Sequence, residues 1–265
     1  MTSAIIANAL SRSFPVSEPT VGFFSKLRQL IAPKIKYYLA VDRLNFEIAK
    51  GEKVGLIGLN GAGKSTTIKM LTGILHPTSG TVEVLGLVPS RQRKQLGHSI
   101  GTIFGQKSQL WQHLPAADTF DFLTKVYRLD PRAYRVWRDE LISLFNLSAF
   151  LNKPVRQLSL GQRMRCEIVA SLLHQPAILF LDEPTIGLDI NAKLMIRNLL
   201  QHFSTQFHTT LILTSHDMTD VEQLTDRVIV LEKGKLLIDK KMEELRRAQN
   251  LSLEECLFDI YKTLD

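Results

Sequence analysis

Short apolar runs punctuate this chain, and between them lie stretches in which apolar residues return every third or fourth position. The runs predict buried strands and the stretches predict helices, which together give an α/β domain. Strands are expected at Leu44–Ile48, Val54–Gly58, Thr81–Leu85, Ile100–Phe104, Ile178–Asp182, Leu211–Ser215 and Arg227–Leu231. Lys233-Gly234-Lys235 then reads as a hairpin turn leading into Leu236–Asp239. Helices are expected after Gly63, across much of Asp118–Asn146, after Gly161 and over Ile190–Phe203. The block from about 107 to 172 carries no strand pattern, so it reads as a helical insertion between two halves of the core. One more amphipathic pattern lies near the N-terminus. There Val21, Phe24, Leu27, Leu30 and Ile31 share a face, Lys26, Arg28 and Gln29 lie opposite, and Pro33 ends the helix.

Composition narrows the class. The 265 residues give room for one large domain or two small ones, with 45% hydrophobic and 22% charged residues. A disordered tail or a collagen-like fibre is excluded by that balance. The longest unbroken apolar run, Ala177–Leu181, is far short of the roughly 20 residues of a membrane span. No basic n-region precedes a long apolar stretch at the N-terminus, so a soluble, cytoplasmic chain without a signal peptide is expected. Two cysteines, Cys166 and Cys256, fit a reducing compartment. Cys166 shares a helix face with Val169, Ala170 and Leu173 and reads as core. Lys and Arg exceed Asp and Glu by seven, with +4 in residues 1–50, +4 in residues 51–100 and −4 in residues 201–265. Such asymmetry admits an anionic partner (nucleic acid, nucleotide phosphate or acidic lipid) as well as a solvated basic face.

Two motifs decide among those partners. Residues 58–66 read GLNGAGKST, between the apolar run Val54–Ile57 and the helical run Ile68–Leu71. This is the phosphate-loop (Walker A) pattern in the strand–loop–helix context it requires. Gly58, Asn60, Gly61, Ala62, Gly63, Lys64, Ser65 and Thr66 are the candidate phosphate-binding residues. The glycines allow close approach, and backbone N–H groups wrap the phosphates at a positive helix N-terminus. Lys64 would reach the β- and γ-phosphates, and the Ser65 hydroxyl would ligate Mg²⁺. Residues 178–183 read ILFLDE, an apolar strand ending in two carboxylates. Paired acids there are costly unless they meet a cation or a reacting water. Asp182 fits the Mg²⁺-holding role, and Glu183, on the other side of the strand end, fits the general base.

Residues 158–162 read LSLGQ, residues 182–189 read DEPTIGLD, residues 214–217 read TSHD, and Gln106 follows the strand Ile100–Phe104. In this order the motifs resemble those of the ATP-binding cassette (ABC) ATPases, over roughly residues 4–245. The resemblance implies a P-loop NTPase core: a mostly parallel sheet flanked by helices, with an antiparallel β contribution and an inserted helical subdomain. ATP and Mg²⁺ are the implied cofactors. It further implies that Gln106 and Asp182 complete the Mg²⁺ environment, that Glu183 activates water and that His216 contacts the γ-phosphate. Asp189 would couple two active sites. Ser159, Gly161 and Gln162 of the signature motif would contact ATP on an opposite subunit, so a homodimer or a paralogous heterodimer is expected. Leu160 stands where the common signature has the first of its two glycines. Phe14 best matches the adenine-stacking position, with Tyr37 and Tyr38 as rivals.

The stretch from Phe14 to Val41 is longer than the tight turn common in the family, and it resembles the insertion of ABC-2-type exporter ATPases. That likeness implies an ABC-2-type membrane permease on a separate chain and a peripheral place at the cytoplasmic face of the inner (plasma) membrane. No nucleic acid partner is then expected. The insertion, about 17–36, either packs on its own domain or lies with Lys26, Arg28, Lys34 and Lys36 near acidic headgroups. The segment Lys107–Trp111 is expected in the groove that receives the permease. The division is thus an ATP-binding domain over 1–245, including a helical subdomain at about 107–172, and a short helical tail over 246–265. Two other readings stay open. One is a non-transport ABC ATPase acting on nucleic acid or an assembly scaffold. The other is an importer ATPase, disfavoured by the insertion and by a tail too short for a regulatory domain.

Overall fold

The computed structural model describes residues 2–17, 35–105, 107–249 and 253–255. In chain order the elements are β1 (Ser3–Ser17), β2 (Ile35–Ala49), β3 (Lys53–Ile57), α1 (Lys64–Leu71), β4 (Ser79–Val84), α2 (Arg93–Gly97) and β5 (Ile100–Phe104). There follow α3 (Ala116–Tyr127), α4 (Pro131–Leu144), α5 (Leu160–Leu172), β6 (Ile178–Asp182) and α6 (Ile190–Phe207). The chain continues through β7 (Thr210–Thr214), α7 (Met218–Leu224), β8 (Arg227–Glu232), β9 (Lys235–Lys241) and α8 (Met242–Gln249).

Two sheets organise these elements. The larger has the order β5-β6-β7-β3-β8-β9, parallel except for β9, which returns antiparallel from β8. A smaller antiparallel sheet, β2-β1-β4, covers part of one face. The short apolar strands follow from burial on both faces, since successive side chains point to opposite sides. On β6, Ile178 and Phe180 join the core beneath the small sheet, with Ile5, Leu10 and Leu44. Leu179 and Leu181 join the opposite core, with Phe120, Leu141, Phe145 and Val169 from the helical block. On β8 the same alternation sends Ile229 and Leu231 under the small sheet and Val228 and Val230 toward Val221, Met242, Leu245 and Leu253.

The α/β class, the antiparallel contribution and the strand-free helical block agree with the sequence pattern. Three boundaries differ. The run Leu44–Ile48 is the end of a much longer strand, β2, which pairs with β1 as far as Ser17 opposite Ile35. The expected insertion therefore loses Ser17, Ile35 and Lys36 to this ribbon, while its helical pattern, Val21 to Ile31, lies outside the described residues. The helical stretch Asp118–Asn146 resolves into two helices, α3 and α4. Arg128 closes α3 in the left-handed region at φ 55°, and Asp130 caps α4 by accepting from the N–H groups of Arg132 (3.1 Å) and Ala133 (2.9 Å). Pro131 at the first helical position enforces the break, because a helix does not run through the residue before a proline. At the C-terminal end, α8 crosses the boundary expected after residue 245, and Leu253 is buried beside Met242 and Leu245. Among the described residues no helix is long and apolar enough to cross a membrane.

Candidate nucleotide site

Parallel register brings the carboxyl ends of β3, β6 and β7 to one edge of the large sheet, where open α/β sheets present their ligand crevices. There the loop after β3, the acids after β6 and the histidine after β7 share a cleft of about 480 Å³. Asn60, Ser65, Asp182, Glu183 and His216 line it, with Lys107 from the segment after β5.

The loop is built to hold an anion. Gly63 precedes α1 at φ 103°, and a Cβ there would stand 2.6 Å from the Ala40 carbonyl oxygen. Only glycine combines that dihedral with that approach. α1 has no side-chain cap and no acidic residue in its first turn. Its leading N–H groups thus face the cleft with the positive end of the helix dipole, which suits phosphate. Beyond Gly61, at φ 82°, a Cβ would meet nothing within 4 Å, so the rim of the loop is open. Lys64 is buried, and its ammonium donates to the carbonyls of Gly58 (2.7 Å) and Leu59 (3.2 Å). Burial lowers its pKa, while the nearby charges of Glu183 and Asp182 work in the opposite direction.

Both acids line this one cleft, and Thr214, the first residue of TSHD, holds both. The Thr214 hydroxyl donates to Asp182 Oδ1 at 2.6 Å, and the Ser65 hydroxyl donates to the same oxygen at 3.3 Å. The Glu183 N–H donates to Thr214 through its carbonyl (3.0 Å) and hydroxyl oxygens (3.1 Å). Glu183 itself is held at φ 56°, in the left-handed region that breaks the extended strand conformation just after Asp182. His216 Nε2 stands 2.7 Å from Glu183 Oε1, so these two groups form a contact pair at the mouth of the cleft. Among the described residues no group of three or more His, Cys, Asp or Glu forms a metal cage. Ser65 and Asp182 suit Mg²⁺ nonetheless, since that ion keeps waters and takes phosphate oxygens as further ligands. Gln106 lies outside the described residues; its neighbour Gly105 donates to the Asp182 carbonyl at 2.8 Å.

The signature residues occupy another place. Ser159 caps α5, with Gln162 N–H donating to its hydroxyl (3.2 Å) and the Gln162 side chain accepting from the Ser159 N–H (3.0 Å). Ser159, Gly161, Gln162 and Asp189 line a second cleft of about 180 Å³ that shares no lining residue with the first. A Cβ on Gly161 would come within 2.9 Å of the Ala192 Cβ, so close packing on α6 accounts for this glycine before any ligand is considered. Asp189 caps α6 by accepting from the Ala192 N–H at 2.9 Å. Leu160 and Ile190, the sequence neighbours of Ser159 and Asp189, are exposed, and the exposed Ile186 lines the first cleft. Phe14 and Tyr38 are partners across the β1–β2 ribbon, with the Arg12 guanidinium 4.7 Å from the Phe14 ring centre. Tyr37 and Tyr38 are both exposed on β2.

Behind the site lies a buried network whose pairings no motif predicts, although Thr185, Ser215 and Asp217 fall within the DEPTIGLD and TSHD runs. Asp220, fully buried on α7, accepts from the hydroxyls of Thr185 and Ser215 and from the Arg197 guanidinium. Lys193 (2.8 Å) and Arg197 (3.0 Å) both reach Asp217, next to His216. The loop after Asp182-Glu183 is thereby tied to the loop that carries His216. Its members are scattered over 36 residues of sequence, from Thr185 to Asp220, without a common spacing.

Known proteins resemble this chain in sequence and in fold. A family model described as ABC transporter matches residues 41–186. The chain is 31% identical over 216 residues to the ABC transporter ATP-binding protein NatA of Bacillus subtilis, covering 82% of this chain and 87% of that one. Identity is 33% over 225 residues with the bacitracin transport ATP-binding protein BcrA of Bacillus licheniformis, covering 85% and 72%. A probable sulfate/thiosulfate import ATP-binding protein, CysA of Chlorella vulgaris, is 31% identical over 221 residues, covering 83% and 93%. In fold, an ATP-binding subunit of an ABC transporter superposes with a TM-score of 0.78 at 23% identity, covering 97% of this chain and 99% of that one. A dimeric ATP-binding cassette bound to ADP and Pi superposes with a TM-score of 0.74 at 24% identity, covering 90% and 98%. With the phosphate loop, strand-end acids and signature helix in one fold, the chain belongs to the ATP-binding proteins of the ABC transporter family.

Proposed function

We propose that this chain is the ATP-hydrolysing motor of an ABC-2-type exporter, peripheral to the cytoplasmic face of the membrane and working with a separate permease. The contact between Glu183 and His216, in the cleft that also holds Ser65 and Asp182, carries the catalytic part of the reading. ATP would lie with its phosphates over the loop from Gly58 to Thr66, where α1 N–H groups and the Lys64 ammonium meet their charge. Bound Mg²⁺, held by Ser65 and Asp182 with Gln106 as the further candidate, would supply charge neutralisation between phosphate oxygens. Glu183 takes a proton from the attacking water as its oxygen bonds to the γ-phosphorus and ADP leaves. His216 orients that carboxylate and faces the γ-phosphate position.

A Glu183→Gln chain tests the base. It should bind ATP as the parent does and lose about 10²–10⁴-fold in turnover, the usual contribution of a general base. Full turnover would remove Glu183 from that role.

The dimer reading is supported by the separation of the signature cleft from the phosphate loop and by the exposed apolar side chains Leu160 and Ile190, each next in sequence to a residue of the signature cleft. Phe14 is the proposed adenine partner. The long connection between β1 and β2 and the likeness to the bacitracin transport protein support the exporter. An importer is the second reading, favoured by the 31% identity to an import protein over 93% of that protein's length. Reconstitution with the co-purified permease separates them by direction: ATP drives cargo away from the ATPase face in an exporter and toward it in an importer.

A further inference from the structure

From Met164 to Leu172, α5 buries every residue but Arg165, and one of them is a carboxylate. Glu167 is 5% exposed, and its oxygens meet the Ser108 hydroxyl and the Gln109 N–H. Its Oε1 accepts from the Ser108 hydroxyl, and its Oε2 accepts from the Gln109 N–H at 3.2 Å. The Gln109 side-chain amide returns the contact, donating to the Glu167 carbonyl at 3.1 Å. Ser108 also accepts from the Leu110 N–H at 3.1 Å, which shapes the turn before Trp111. A buried carboxylate is costly without hydrogen-bond donors, and here one short segment supplies a donor to each oxygen.

That segment is anchored at its other end to the nucleotide cleft. Gly105 donates to the Asp182 carbonyl at 2.8 Å, and Lys107 lines the cleft with Ser65 and Glu183. Ser159 caps the same helix about 12 Å before Glu167, at 1.5 Å of rise per residue. Resting on the ATPase reading above, we propose that Glu167 is a positioning residue. It clamps Lys107–Trp111 to the signature helix, so that the segment and the signature move as one body when ATP occupies the cleft.

Trp111 reports on the clamp, since its ring is half-exposed and lies 4.9 Å from Phe122. In the full chain, ATP should shift tryptophan emission, and Trp111→Phe should remove that shift. Glu167→Gln and Ser108→Ala should each bind ATP within about twofold of the parent, lose most of the Trp111 shift and lower kcat with KM little changed. Their losses should not add in the double variant, because both cut one contact. Ser108→Ala carries the test if Glu167→Gln fails to fold. An undiminished Trp111 shift in these variants, or fully additive losses, would overturn the clamp. ATP binding by the parent without any Trp111 shift would overturn the clamp alone, whereas no ATP binding at all would overturn the ATPase reading beneath it.

Discussion

At the scale of single residues, the site is a set of side chains whose states the surrounding fold imposes. Gly63 is held at φ 103° with the Ala40 carbonyl 2.6 Å from where a Cβ would stand. Gly63→Ala is therefore expected to cost about 1–3 kcal/mol, read as a lower urea midpoint together with weaker ATP binding. Cys166 shows the opposite of reactivity. Burial pushes its thiol from 9.0 up to about 12, and the side chain is fully buried. Maleimide at pH 8 should leave it unmodified in the native chain and label it once denaturant is added, as peptide mass spectrometry would read. The folded thiol keeps its proton while the unfolded one loses it, so this contribution is complete below pH 9 and is lost toward pH 12. The motif residues Lys64, Asp182 and Glu183 were legible in sequence because their chemistry requires a fixed local order. Thr214 was read only as part of TSHD; its grip on Asp182 spans 32 residues and depends on how two strands pair.

Between elements, the network of α6 and α7 is the most exacting feature. Asp220 is fully buried and Arg197 is its cation, so Arg197→Ala strands a carboxylate in the interior. A loss of about 3–5 kcal/mol is expected in urea unfolding, as for other buried pairs cut on one side. Asp217 titrates with this network. Burial would raise its carboxyl, but Lys193 and Arg197 outweigh that and hold it below 3.8. Stability from Asp217 is thus full above that value and lost as pH falls through the lowered folded pKa. Lys193→Ala should flatten this acid limb in urea midpoints taken from neutral to acid pH. Strand positions were legible because each strand alternates between two cores. The break between α3 and α4 was written in Asp130-Pro131, yet the apolar periodicity runs through it and conceals it.

For the whole molecule, the two clefts set the geometry of assembly. The phosphate loop and the signature line separate sites on one chain, and in the dimer proposed above a second chain would bring its signature to the ATP bound here. In a Glu183→Gln background, ATP should drive dimer formation in sedimentation equilibrium. Adding Ser159→Arg should abolish the dimer while ATP affinity of the single chain stays within about twofold. A dimer that survives Ser159→Arg would place the interface elsewhere.

The excess of seven basic charges acquires a partial address in this geometry. Lys64 belongs to the phosphate loop and Lys107 to the wall of the same cleft, while Lys26, Arg28 and Lys34 belong to the stretch outside the described residues. Composition, periodicity and motif order were enough for the α/β class, the phosphate loop and the strand-end acids, because backbone geometry and phosphate chemistry act over a few neighbouring residues. Register in the sheet then chose which strand ends meet: Asp182 with Thr214, and the Asp182 carbonyl with Gly105. Helix packing chose the rest, joining Asp220 to Thr185 and Glu167 to Ser108. Contacts of that kind join residues far apart in the chain, and a periodic pattern says which face of an element is buried without saying what it is buried against.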